Sequence, residues 1–146
     1  MDADAISHGI QLAVAPVFML TAVAGLISGT AMRLARIVDR ARTLDERLEA
    51  GTVAKPEAAY WELDRLKLRG RIVNLSMALL TLSGALIGVT VMALFVGETS
   101  ATHIEKLVPW GFLGGVVCFV LALLCFLIET LLASHALRFD SRRPVK

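Results

Sequence analysis

The sequence predicts an all-α integral membrane fold with three transmembrane helices, the first two extended into a cytoplasmic antiparallel coiled-coil hairpin. Three observations carry this prediction. No charged side chain falls between Ala5 and Met32 or between Ile72 and Gly97, and a third apolar run covers Leu107 to Ile128. The segment between the first two runs, Arg33 to Arg71, holds ten of the fifteen Lys and Arg. Within that segment, apolar residues recur at alternating spacings of three and four.

Composition sets the class. Of the 146 residues 56% are hydrophobic, and the mean hydropathy is +0.69. A soluble domain of this size has too little core to need so much apolar surface. A spanning helix takes about 20 mostly apolar residues, and all three runs are that long. The bilayer interior leaves no backbone group unpaired, and the alternation of barrel strands is absent, so the spans are helices. The prediction is one membrane domain, 1–146, with spans at about 10–32, 72–97 and 107–134 and the hairpin over 33–71.

Charge then sets orientation. Four further cations, Arg138, Arg142, Arg143 and Lys146, lie in the C-terminal tail. Asp2 and Asp4 precede the first span, and the connection between the second and third spans holds Lys106 beside Glu98 and Glu105. The positive-inside rule places the hairpin and C-terminus in the cytoplasm and the N-terminus outside. An acidic start and a long apolar run argue for an uncleaved anchor rather than a signal peptide.

The first helix starts near Ile10, meets Pro16 within its first turns, and continues to Glu49. Gly51 suits a helix C-cap and Pro56 the first turn of the next helix. That helix runs to about Val96, leaving Gly97 to His103 as an outer loop. Pro109 opens the third span, with Trp110 as an interfacial anchor.

In the first arm Leu34, Ile37, Ala41, Leu44 and Leu48 form a seam, and in the second Ala59, Leu63, Leu66, Gly70, Val73, Met77 and Leu80 do the same. A short turn makes the arms antiparallel, so Leu44 should face Leu63, Ala41 face Leu66, and Ile37 face Gly70. On one flank Arg33, Arg40 and Arg47 recur every seven residues, with Ser76, Arg69 and Glu62 expected opposite them. Arg47 and Glu62 should pair near the tip, while Arg40 and Arg69 should meet with like charge. Together with Arg36 and Arg71 these arginines form a basic collar beneath an acidic tip. Anionic headgroups of the inner leaflet account for such a collar. The functional alternative is an anion, lipid or partner site built by Arg33, Arg36, Arg40, Arg69 and Arg71.

Three G-x-x-x-G pairs, Gly25 with Gly29, Gly84 with Gly88, and Gly111 with Gly115, let helix backbones approach closely. By depth the second and third pairs should meet, leaving Gly25 and Gly29 for another subunit. Ser76, Ser83 and Thr90 form a hydroxyl stripe along the second span. Such stripes line pores, and more often bond their own helix or a neighbour. Glu129 is the one carboxylate in an otherwise apolar helix, and Arg33 or Arg71 stands at the right level to form a structural ion pair with it.

Signals for chemistry are lacking. There is no phosphate loop, zinc spacing or nucleophile–base set, and no cofactor or metal is expected. Cys118 and Cys125, seven residues apart, read as small apolar packers. His8, His103 and His135 are isolated. The membrane-proximal arginines, mixed with acids, do not resemble a nucleic-acid footprint.

The stretch RLARIVDRARTL, Arg33 to Leu44, resembles the signature of a bacterial family catalogued as domain of unknown function 2721. IQLAVAPVFMLTAVAGLISG before it and LRGRIVNLSMALLTLSGALIG in the second arm and span fit as well. The resemblance implies a small three-helix inner-membrane protein and adds no catalytic residue. The expected function is a non-enzymatic membrane scaffold or accessory subunit. It would self-associate or join a larger membrane complex, and contact a partner or anionic inner-leaflet lipids through the hairpin. The alternative is an oligomeric ion channel or small-solute transporter lined by the second span.

Overall fold

The computed structural model describes residues 3–99 and 108–140, with side chains over 14–94 and 108–134. The described residues form three α-helices, α1 (Ala3–Glu49), α2 (Pro56–Thr99) and α3 (Val108–Asp140), without a strand. All three are long and apolar enough to cross a membrane, which by length and composition makes this a multi-pass membrane protein. Asp2, His103, Glu105, Lys106, Arg142, Arg143 and Lys146 lie outside the described residues, as do the side chains of Asp4, His8, Glu98, His135 and Arg138.

Continuity of α1 follows from its composition. Between Val17 and Glu49 no proline intervenes, and α1 also runs on through Pro16. It stops where the chain changes hand. Gly51 takes φ 65°, a left-handed conformation that costs glycine nothing because it lacks a Cβ. The amide of Gly51 donates to the Leu48 carbonyl at 3.1 Å, and that of Thr52 to the Arg47 carbonyl at 3.2 Å. These are the two bonds of a Schellman cap, and they satisfy carbonyls the helix end would leave orphaned. The Thr52 hydroxyl adds a second donor to the Arg47 carbonyl at 3.1 Å. Pro56 then begins α2, where its missing amide has no partner to lose. At its far end α2 continues past Gly97 to Thr99, so the helix does not end at the expected loop start, Gly97. A single glycine weakens a helix without ending it.

Packing divides the chain into two units, each drawn from all three helices. The second unit comprises Gly29–Met77 and Leu123–Lys146. In it Ile37 and Leu44 of α1 and Ala59, Leu63, Leu66 and Val73 of α2 form one buried cluster, extended by Leu34, Ala41, Leu48 and Val53. A Cβ added at Gly70 would sit 3.7 Å from Ile37 Cγ2, so the two arms lie close at that level. In water, each such buried aliphatic side chain contributes about 1.5–3 kcal/mol.

The first unit comprises Met1–Ser28 and Ala78–Ala122. Its core is Val23, Leu80 and Ala122, with Leu26, Ile27, Leu79 and Phe119 against them. In a bilayer no hydrophobic term drives helices together, so close approach and interhelical hydrogen bonds must hold them. Both are present. Ser83, fully buried, donates to the Gly115 carbonyl at 2.7 Å. A Cβ at Gly115 would fall 2.8 Å from Ile87 Cγ1 and 3.4 Å from the Ser83 carbonyl oxygen, and one at Gly111 would fall 2.8 Å from Thr90 Oγ1.

The glycine pairs therefore sort differently from their sequence depth. Gly111 and Gly115 do meet α2, but along its Ser83–Ile87–Thr90 face. Gly84 turns to α1, where Val23 Cγ1 lies 3.5 Å from an added Cβ, and Gly88 has nothing within 4 Å. Successive residues on a helix differ in azimuth by about 100°, so Gly84 and Gly88, one position after Ser83 and Ile87, turn away from the α3 contact line. Gly25 and Gly29 have nothing within 4 Å, and a Cβ added at Gly114 would lie 3.6 Å from Leu86 Cδ1, also of α2.

Two substitutions separate these roles. Gly115→Ala forces Ile87 or the backbone to move and should destabilise by about 1–3 kcal/mol. Gly88→Ala enters open space and should be neutral or stabilising by up to about 1 kcal/mol through helix propensity. Reversible unfolding of each variant in mixed detergent measures the difference. Equal stabilities would refute the packing assigned to Gly115.

Candidate functional site

The candidate site forms in the second unit, where one carboxylate from α3 meets arginines from both other helices. Phe126, Glu129 and Thr130 stand at i, i+3 and i+4 and so share one face of α3. Glu129 is 1% exposed. Its Oε1 accepts from Arg69 Nη2 at 2.7 Å and Nε at 3.2 Å, and its Oε2 accepts from Arg33 Nη1 at 2.9 Å. Arg33 Nη1 also donates to the Thr130 hydroxyl at 2.9 Å, which in turn donates to the Phe126 carbonyl at 2.9 Å. The Arg33 guanidinium stacks over the Phe126 ring, 4.5 Å from its centroid.

The physical logic is compensation. A lone buried carboxylate costs several kcal/mol in lost hydration. Two guanidiniums, each donating to a different oxygen, offset that cost with charge-assisted hydrogen bonds. Since Arg33 belongs to α1 and Arg69 to α2, the carboxylate ties α3 to both arms at one point. The triad carries one positive charge more than it neutralises.

Beside it opens a cleft of about 350 Å³, lined by Arg33, Arg36, Ile37, Arg40, Leu66, Arg69 and Glu129. Ile37 and Leu66 are buried and form an apolar floor. Arg33, Arg36 and Arg40 fall on one side of α1, three and four residues apart. Arg36 is exposed and makes no ion pair among the described residues. Arg40 donates Nη2 at 2.8 Å and Nε at 3.0 Å to Glu62 Oε1.

Two expectations need correction. Glu62 pairs with Arg40, and Arg47 makes no ion pair among the described residues. Arg40 and Arg69 do not confront each other with like charge, because Arg69 turns to Glu129 and Arg40 reaches diagonally toward the tip. The missing ingredient was α3: its carboxylate draws Arg69 away and leaves Arg40 to pair with Glu62. Arg33 pairs with Glu129, whereas Arg71 is exposed and lines no part of the cleft. The sequence reading missed Phe126 and Thr130, and missed Arg69 as a partner of Glu129. One signal was available for the last. Arg69 lies seven residues before Ser76, on the heptad line of Ser76, Ser83 and Thr90, and Ser83 of that line bonds α3.

The hydroxyls on that line are buried: Ser76 is 1% exposed, Ser83 0% and Thr90 3%. Thr90 donates to the Leu86 carbonyl at 2.7 Å within its own helix. Cys118 and Cys125 are free and half-buried on α3.

The two ion-pair systems differ in depth, and so should their energetic weight. Glu129→Ala leaves two guanidiniums facing each other and should lower stability by about 3 kcal/mol, the low end for a broken buried pair because Arg33 stays partly solvated. Arg40→Ala should cost about 1 kcal/mol or less, as exposed pairs do. Thermal or denaturant unfolding of the detergent-solubilised chain ranks them, and the reverse order would overturn the role given to Glu129.

Residues 13–139 match the family model described as Protein of unknown function (DUF2721). No curated protein and no solved structure matches the chain. The matched span contains most of α1, all of α2 and the described part of the cleft on every helix, and the chain belongs to the DUF2721 family.

Proposed function

We propose that the chain is a non-enzymatic scaffold or accessory subunit of the bacterial inner membrane. Its N-terminus lies outside and its C-terminus in the cytoplasm. Its first two helices form a cytoplasmic coiled-coil hairpin that contacts a partner protein or lipid. The observation that carries this reading is an arm whose inner face is fixed while its charged outer face carries large apolar side chains. On α2, Ala59, Leu63 and Leu66 are buried, yet Tyr60, Trp61 and Leu68 are 59%, 73% and 54% exposed. This is the charged segment, too polar for the bilayer core, and exposed aromatics on such a surface mark interaction sites.

Gly25 and Gly29, with open space beside them, support self-association through the first span. Burial of Ser76, Ser83 and Thr90 inside the chain supports a scaffold over a pore that those hydroxyls line.

Native mass measurement of the full chain in mild detergent tests the proposal. The wild type should run as an assembly heavier than one 15.7 kDa chain. Gly25→Leu with Gly29→Leu should reduce it toward the single chain, and Trp61→Ala should release any co-purifying subunit. A wild type that stays a single chain, free of other protein at every concentration, sinks the reading. Ion flux through liposomes holding only the wild type would replace it with the channel.

A further inference from the structure

We infer that the cleft between the arms binds a phosphate-type oxyanion through Arg33, Arg36, Arg40 and Arg69. The inference deepens the lipid-contact part of the proposed function and rests on it. Four guanidiniums line the cleft against one carboxylate, Glu129. That carboxylate is already saturated: both of its oxygens accept from arginine, and it is 1% exposed. It acts as an internal counter-ion that fixes Arg33 and Arg69 in place, so their ordering cost is met before any ligand arrives.

The donors left over point to the ligand. Among the described residues Arg33 uses only Nη1 and Arg69 only Nε and Nη2 on the buried network. Arg40 uses Nε and Nη2 on Glu62, and Arg36 makes no hydrogen bond among the described residues. Arg33 Nε and Nη2, Arg40 Nη1, Arg69 Nη1 and the whole Arg36 fork therefore remain to donate. Planar guanidinium forks converging from two helices suit the several oxygens of a tetrahedral phosphate better than a single-point acceptor. At about 350 Å³ the space is at the lower end for a small-ligand site.

Position favours a lipid source without demanding it. Arg33 directly follows the first uncharged run, and Arg71, with Arg69 two positions before it, directly precedes the second. That is the headgroup level, where anionic phospholipids present phosphomonoesters and phosphodiesters. Free inorganic phosphate offers the same oxygens from the aqueous side.

The test uses the full chain in detergent and two probes, phosphatidic acid and inorganic phosphate, with phosphatidylcholine as the zwitterionic comparison. Native mass spectra should retain phosphatidic acid in preference to phosphatidylcholine. Arg36→Ala with Arg40→Ala should weaken that retention about tenfold or more. Arg42→Ala with Arg47→Ala, an equal charge change on the same arm outside the cleft, should leave it unchanged. Displacement of the lipid by millimolar phosphate assigns a soluble ligand; persistence of the lipid assigns the headgroup. Retention unaltered in the cleft variant, or lost equally in the control, overturns the inference. Subunit mass, read from the same spectra, keeps the two proposals apart. Lost lipid specificity with an intact assembly removes the phosphate site alone, and a single chain that still holds lipid removes the scaffold alone.

Discussion

A buried carboxylate held by two guanidiniums is the constraint on which this structure turns. Glu129 has nowhere to be solvated, and so Arg33 and Arg69 must stand where its two oxygens are. Satisfying one acid thereby fixes the rotamers of two basic side chains on two different helices, with Thr130 and Phe126 completing the shell around Arg33. An apolar replacement of the same shape could pack as well, since burial of ions contributes little net stability. What an apolar core cannot supply is a set of guanidiniums held in fixed positions with donors to spare.

The second helix makes that arrangement compatible with a three-helix protein because it presents two different faces at heptad spacing. Ala59, Leu63, Leu66 and Val73 turn to α1 in one unit, and Leu80 joins Val23 in the other. A neighbouring line carries Arg69 to Glu129 in one unit and Ser83 to the Gly115 carbonyl in the other. The apolar line suits burial of side chains against side chains. The polar line serves where backbones approach too closely for large residues, or where a charge must be met. The reversal between the arms is likewise local physics: one left-handed glycine closes the last carbonyls of α1, and one proline opens α2.

The contacts proposed for this molecule lie on its surfaces rather than in its interior. The interior polar atoms bond within the chain, and no buried side-chain nitrogen or oxygen lacks a partner among the described residues. The arginine cleft, the Tyr60–Trp61–Leu68 face and the open Gly25–Gly29 face are what the chain turns outward. Each carries one of the contacts proposed above: an oxyanion, a protein and a second helix.

By itself the sequence determined the three apolar helices, the reversal at Gly51 and Pro56, and the inner faces of the two arms. Those features follow from near-neighbour rules: length against bilayer thickness, backbone freedom at single residues, and the seven-residue repeat of apolar side chains. It also marked Glu129 as a charge in need of a partner and the arginines as a cluster. Only the tertiary structure decided who pairs with whom. Register between the two arms placed their apolar seam but not their ion pairs, because it holds no information on how α3 is rotated against them. The α3 carboxylate redirected Arg69, which in turn left Arg40 to Glu62 and Arg47 without an ion pair among the described residues. The same holds for the glycines, whose depth is legible in sequence while their azimuth depends on how each helix is rotated. Long side chains with several partners in reach are settled by the most deeply buried charge, and burial is a property of the fold.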